Sequence, residues 1–164
     1  MADRGFDKHA LLGALISQVE AKLAELRVGY AAARDGSLST PHVMKSKREV
    51  FGQESAYLAN ALSLNIQKRE LEMRTLKSLR LPEKPERIAL GCLVGLGARD
   101  ALEALYLVLP VCGGLEVPGG EAGIPVRVVT PAAPVAKALL GKSSGDEVPL
   151  PGTPPREGVV QFVM

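Results

Sequence analysis

The segment VTPAAPVAKALLGKSSGDEV, residues 129–148, decides the fold of the second half of the chain. It opens on a β-type valine run and reaches Pro134, which suits the first turn of a helix because its missing N–H is not needed there. A short helix over 133–141 is predicted, ending at Gly141, which can take the left-handed conformation that closes helices. Gly145 and Asp146 then turn the chain into a last hairpin. Asp146 is read as a turn residue rather than a catalytic acid. The segment is a strand–helix–strand corner in which Leu139 and Leu140 plug a sheet.

Around this corner lie further short β-type runs, RIALGCLVGL (87–96), EALYLVLPV (103–111), IPVRVVTP (124–131) and GVVQFVM (158–164). Gly- and Pro-rich turns divide them, as in a small antiparallel sheet. The rest of the chain has another character. Residues 1–80 carry thirteen Lys/Arg, nine Asp/Glu and a single proline, whereas 81–164 carry seven, nine and eleven. Two modules follow: a hairpin over 1–80 with its tip at about 35–47, and a sheet domain over 87–164. The segment LPEKPE, 81–86, links them.

In the first module Leu12, Ile16, Val19, Leu23, Leu26 and Tyr30 fall at alternating steps of four and three, the spacing of a coiled-coil seam. Gly13 and Gly29 weaken this helix by roughly 1 kcal/mol each, so it needs a partner. A looser stripe, Phe51, Leu58, Leu62, Ile66, Met73 and Leu76, supplies one. Between them DGSLSTP (35–41) is expected to end the first helix, through Gly36 and through Pro41 acting on Thr40. Two antiparallel helices of about 25 residues would each reach roughly 37 Å. The fold class is α+β: an N-terminal antiparallel helical hairpin, then a small antiparallel β domain with one short helix.

The segment 129–148 resembles the C-terminal signature of the bacterial Gre transcription elongation factors. Pro134, Ala138, Leu139, Leu140, Gly141, Lys142, Gly145, Asp146 and Val148 match it in register, and YLVLPVCGG (106–114) resembles the strand and turn that precede it. The resemblance implies a coiled coil joined to an FKBP-like domain. It also implies RNA polymerase as partner, bound near the secondary channel through Pro134, Val135, Lys137 and Leu140. One departure is Ala133, where the family has an N-cap serine. Its loss costs on the order of 1 kcal/mol unless Thr130 compensates.

In the family, acidic residues at the hairpin tip help hold a second Mg²⁺ so that the polymerase cuts backtracked RNA. Set against that tip, ARDGSLSTPHVM (33–44) places Ser37 and Thr40 where the acids fall. Magnesium favours carboxylates, and a hydroxyl supplies no charge. Cleavage stimulation is therefore not expected, and the chain is not read as an enzyme. Lys45, Lys47 and Arg48 make the tip basic, which reads either as a solvated charged loop or, in preference, as a contact with acidic groups or with RNA or DNA phosphates in the transcription complex.

No other chemistry is legible. His9 and His42 stand alone, Cys92 and Cys112 are too few for a zinc site or disulfide scaffold, and no cofactor or metal is expected. The cysteines are read as buried small hydrophobes. With no apolar run of membrane length, the expected location is the cytoplasm and no membrane is expected as partner. A monomer is the expectation. The alternatives are a coiled-coil adaptor or homodimer using the same seam, and an FKBP-like prolyl isomerase. The latter is disfavoured because residues 81–164 hold only Tyr106 and Phe162 as aromatics.

Overall fold

The computed structural model describes residues 5–38, 45–98, 101–118, 123–150 and 156–164, and among these the side chains of 36–38, 45–49 and 150 are excluded. Two long helices come first, α1 (Lys8–Leu38) and α2 (Lys45–Ser78). Asp7 caps α1: its carboxylate accepts the N–H groups of His9 at 2.8 Å and Ala10 at 3.2 Å. The α1 helix runs through Asp35, Gly36 and Ser37, where the sequence reading ends it. One glycine costs only about 1 kcal/mol against alanine, too little to stop a helix already propagating. The 31 residues of α1 rise about 46 Å, more than expected.

Ile16–Arg74 form one compact unit. Within it Arg27 donates to Glu70 at 2.8 Å, and the Cα of Gly29 faces the Leu62 side chain. Rising numbers on α1 meet falling numbers on α2, so the helices are antiparallel. Val19 and Leu23 are buried as expected, and Ala33 joins them. Leu62, Ile66 and Met73 are half-buried on α2, but Phe51 and Leu58, expected on the same stripe, are 53% and 54% exposed. The α1 turn that this register brings towards Leu58 carries Ala31, Ala32 and Ala33, whose methyl groups cover little.

The second unit joins Met1–Leu15 to Thr75–Met164. Leu11, Leu12, Leu15 and Leu76 are buried here, so the first turns of α1 bury a wider face than a coiled-coil seam, and Leu15 rather than Ile16 is the fully enclosed residue. The sheet has six strands: β1 (Leu93–Ala98), β2 (Ala101–Val108), β3 (Glu116–Val117), β4 (Val126–Val129), β5 (Glu147–Leu150) and β6 (Arg156–Val163). Their spatial order is β3-β4-β2-β1-β6-β5. Four junctions are antiparallel, but β2 and β4 run parallel, with Leu105 beside Val126 and Val108 beside Val129. The expected strand over 87–96 begins only at Leu93. Gly91 has φ +83° and turns the chain, and Ile88 instead exchanges backbone hydrogen bonds with Gly141 and Lys142.

One sheet face is covered by α3 (Pro134–Leu139), whose Ala136 and Leu139 join Val94, Leu96, Tyr106, Val108, Val148 and Val160 in the core. On the other face Phe162 pairs with Gly95, and the Phe6 ring stacks on it at 5.7 Å. Cys92 and Cys112 are both buried and unoxidised.

Lys8 is buried, and its ammonium donates to the Pro82 carbonyl. Burial holds its pKa below the usual 10.5, with Cys92 and Glu83 opposing. As pH approaches 10.5 from below, the folded chain has already lost a proton that the unfolded chain retains. Stability therefore rises with pH across that window and is flat above it. The gain in urea midpoint between about pH 8 and pH 10.5 should be larger in the wild type than in Lys8→Met. A pH-independent difference between the two would refute the assignment.

Candidate functional site

The strand–helix–strand corner is built as a unit. Ala133 stands at the N-cap of α3 with φ −67° and ψ 140°, Pro134 occupies the first turn, and no side chain caps the helix. Thr130 supplies only its backbone carbonyl, which accepts from the Ala133 N–H at 2.9 Å, so the missing serine hydroxyl is not replaced. At the other end Leu140 closes the helix by donating to the Ala136 carbonyl, and Gly141 follows at φ +80°. The return turn is held by Asp146, whose carboxylate accepts from the Ser143 N–H at 2.8 Å. Gly145, at φ +93°, donates its N–H to Val160 on β6 at 2.7 Å. The turn role read for Asp146 is the one it fills.

This geometry sorts the four candidate partner-binding residues. Pro134 and Lys137 are exposed, while Val135 and Leu140 are half-buried and pack against the core edge. Leu139 alone plugs the sheet, and Leu140, expected beside it, stays at the rim. Two of the four therefore face solvent and two sit at the core edge, on a corner whose backbone is fixed at both ends.

The tip candidates stand differently. Ser37 lies in the last turn of α1, and Lys45, Lys47 and Arg48 open α2. Their side chains, and Thr40 altogether, lie outside the described residues. Asp35 is exposed within α1.

Sequence reasoning missed a cleft of about 210 Å³ lined by Glu103, Tyr106, Glu116, Ile124, Pro125 and Arg127. Arg127 makes two hydrogen bonds to one oxygen of Glu116, at 2.9 and 2.6 Å, and these raise its already high pKa. Burial pushes the Tyr106 phenol above its usual range, with Arg127 opposing. The signal was present in the strand register, since Arg127 lies beside both Tyr106 and Glu116. Tyr106 is the single aromatic in this lining, which does not make the aromatic pocket that proline binding needs. Among the described residues no three His, Cys, Asp or Glu side chains gather as a metal site. No described helix is long and apolar enough to cross a membrane.

No family model and no curated protein matches the chain. Among solved structures, the chain is similar to GreA factor homolog 1 (Gfh1) of Thermus thermophilus. The identity is 22% over 91% of this chain and 94% of that one, with TM-score 0.37. For Gfh1 of Thermus aquaticus the values are 23%, 94%, 92% and 0.36. For the transcription elongation factor GreA/GreB of Nitrosomonas europaea they are 18%, 68%, 92% and 0.34.

Proposed function

We propose that the chain is a cytoplasmic, Gre-like transcription regulator that binds bacterial RNA polymerase near its secondary channel without stimulating transcript cleavage. The observation that carries this reading is the corner at 129–148. The segment bearing the family resemblance folds around Pro134, Gly141, Gly145 and Asp146, and it leaves Pro134 and Lys137 exposed with Val135 and Leu140 half-buried at the core edge. In this reading residues 87–164 dock on the polymerase, 81–86 join the parts, and the hairpin of 1–80 enters the channel.

Cleavage needs anionic oxygens at the apex to hold a second magnesium ion and orient a water. Ser37 and Thr40 offer hydroxyls there, and Asp35 alone is not a pair of carboxylates. Occupancy without chemistry is then the mechanism: the hairpin alters initiation or elongation, or excludes active Gre factors from a shared site. Lys45, Lys47 and Arg48 add attraction to acidic groups or phosphates, which strengthens binding without reading sequence.

Immobilised protein should retain purified polymerase core, an active Gre factor should displace the chain competitively, and backtracked complexes should remain uncut in its presence. Failure to retain polymerase would refute docking. Robust RNA cleavage restored by the wild-type chain would refute the non-cleaving apex.

A further inference from the structure

A second apolar row runs along α2. Val50, Tyr57, Leu64 and Leu71 stand seven residues apart and are 56%, 81%, 67% and 59% exposed. Gly52, Ala59, Ile66 and Met73, each two positions further on, are half-buried. At 100° per residue the two rows are separated by about 200°, so the exposed row lies on the side of α2 turned away from α1. Scattered surface hydrophobics need no explanation. Four at one heptad spacing, over about 22 residues, form an apolar row bordered and interrupted by polar residues, the periodicity of a helix that meets a second helix along one line.

The flanking residues identify what covers it. We propose that this face is a self-docking surface, on which α2 of a second copy lies antiparallel, centred between Asn60 and Ala61. Val50 then meets Leu71 of the second copy, and Tyr57 meets its Leu64. In the neighbouring row Asn60 meets Asn60 of the second copy, and Gln53 meets its Gln67, so amide faces amide. Glu54 stands opposite Lys68 of the second copy, and two-fold symmetry repeats that ion pair. Gln53, Glu54, Asn60, Gln67 and Lys68 are all exposed. A parallel pairing would instead set the Glu54 side of the row against the side of Gln53 and Asn60, leaving Glu54 facing no cation. The charge pattern therefore selects one orientation.

The seam buried between α1 and α2 within one chain is not used, so this dimer differs from one that shares that seam. A face about 33 Å long and one helix wide gives an interface near the small end of the specific range. A dissociation constant on the order of 10 μM is expected. The dimer does not depend on polymerase binding, and in the dimer one whole side of α2 is covered.

Sedimentation of the full chain between about 1 and 100 μM should show a reversible monomer–dimer equilibrium. Leu64→Glu should give a monomer with an unchanged far-UV circular dichroism spectrum, because Leu64 already faces solvent. Glu54→Lys should weaken the dimer about tenfold, and Glu54→Lys with Lys68→Glu should restore it. Gln53→Cys mixed with Gln67→Cys should cross-link to each other and neither to itself, since the native cysteines are buried. A monomer at 100 μM, a dimer indifferent to Leu64→Glu, or self-cross-linking of either cysteine variant would overturn the proposal. So would a polymerase footprint on the row in a chain that stays monomeric, a result that leaves the polymerase reading intact.

Discussion

Gly97→Ala should destabilise the sheet unit by about 3 kcal/mol or more, the size reserved for steric conflict in a core. A Cβ added at Gly97 would fall 1.8 Å from the Ala101 carbonyl oxygen and 2.7 Å from Gln161 Nε2. The oxygen belongs to the backbone of the facing strand, and Gln161 already donates to it at 2.8 Å. Gly97 also lies where the β1–β2 register shifts, so relief requires moving the bulge itself. Gly95→Ala is the control. Its Cβ would fall 2.3 Å from Phe162, but that contact is the ring of a half-buried side chain, which can swing at the expense of its stacking on Phe6. The expected loss there is about 1–2 kcal/mol. Urea unfolding with unchanged m measures both. A Gly97→Ala protein within 0.5 kcal/mol of wild type would show that the close approach at the bulge is not a constraint.

The helical hairpin and the strand–helix–strand corner were legible because each is specified by local features. Heptad spacing marks one, and Pro134, Gly141, Gly145 and Asp146 punctuate the other. What escaped depends on partners distant in the sequence. Leu15 displaces Ile16 because the first turns of α1 pack within the sheet unit, where a coiled-coil period no longer chooses the buried face. The parallel β2–β4 pair could not be read from runs that look alike in either direction. The strand β1 starts later than its apolar run suggests, because Gly91 within that run has the positive φ of a turn. Buried Lys8 carries no pattern at all; its partner is a carbonyl 74 residues away.

The exposed row on α2 escaped for a different reason. Phe51 and Leu58 share a stripe with Leu62 and Ile66 in the sequence, yet they are exposed, and the row at Val50, Tyr57, Leu64 and Leu71 lies beyond them on the same helix. A helix apolar on two sides reads from sequence as a loosely amphipathic one, and only burial separates the covered side from the exposed one.

Leu139 and Lys137 of α3 give the sharpest separation of fold from docking. Leu139→Ala should cost about 3 kcal/mol, because Leu139 is wholly enclosed in the core shared with Val148 and Val160 and its loss leaves a cavity. Lys137, two positions earlier, is exposed, so Lys137→Glu should change stability by no more than about 0.5 kcal/mol. If the outward corner is the docking face, that charge reversal nonetheless lowers polymerase retention about tenfold, equivalent to about 1.4 kcal/mol. Leu139→Ala should lose retention only in proportion to the fraction unfolded, and lowering the temperature should recover it. Lys137→Glu should not recover, because its defect lies in the contact. Retention by Lys137→Glu equal to that of wild type, with the helix intact, would move the docking face away from α3.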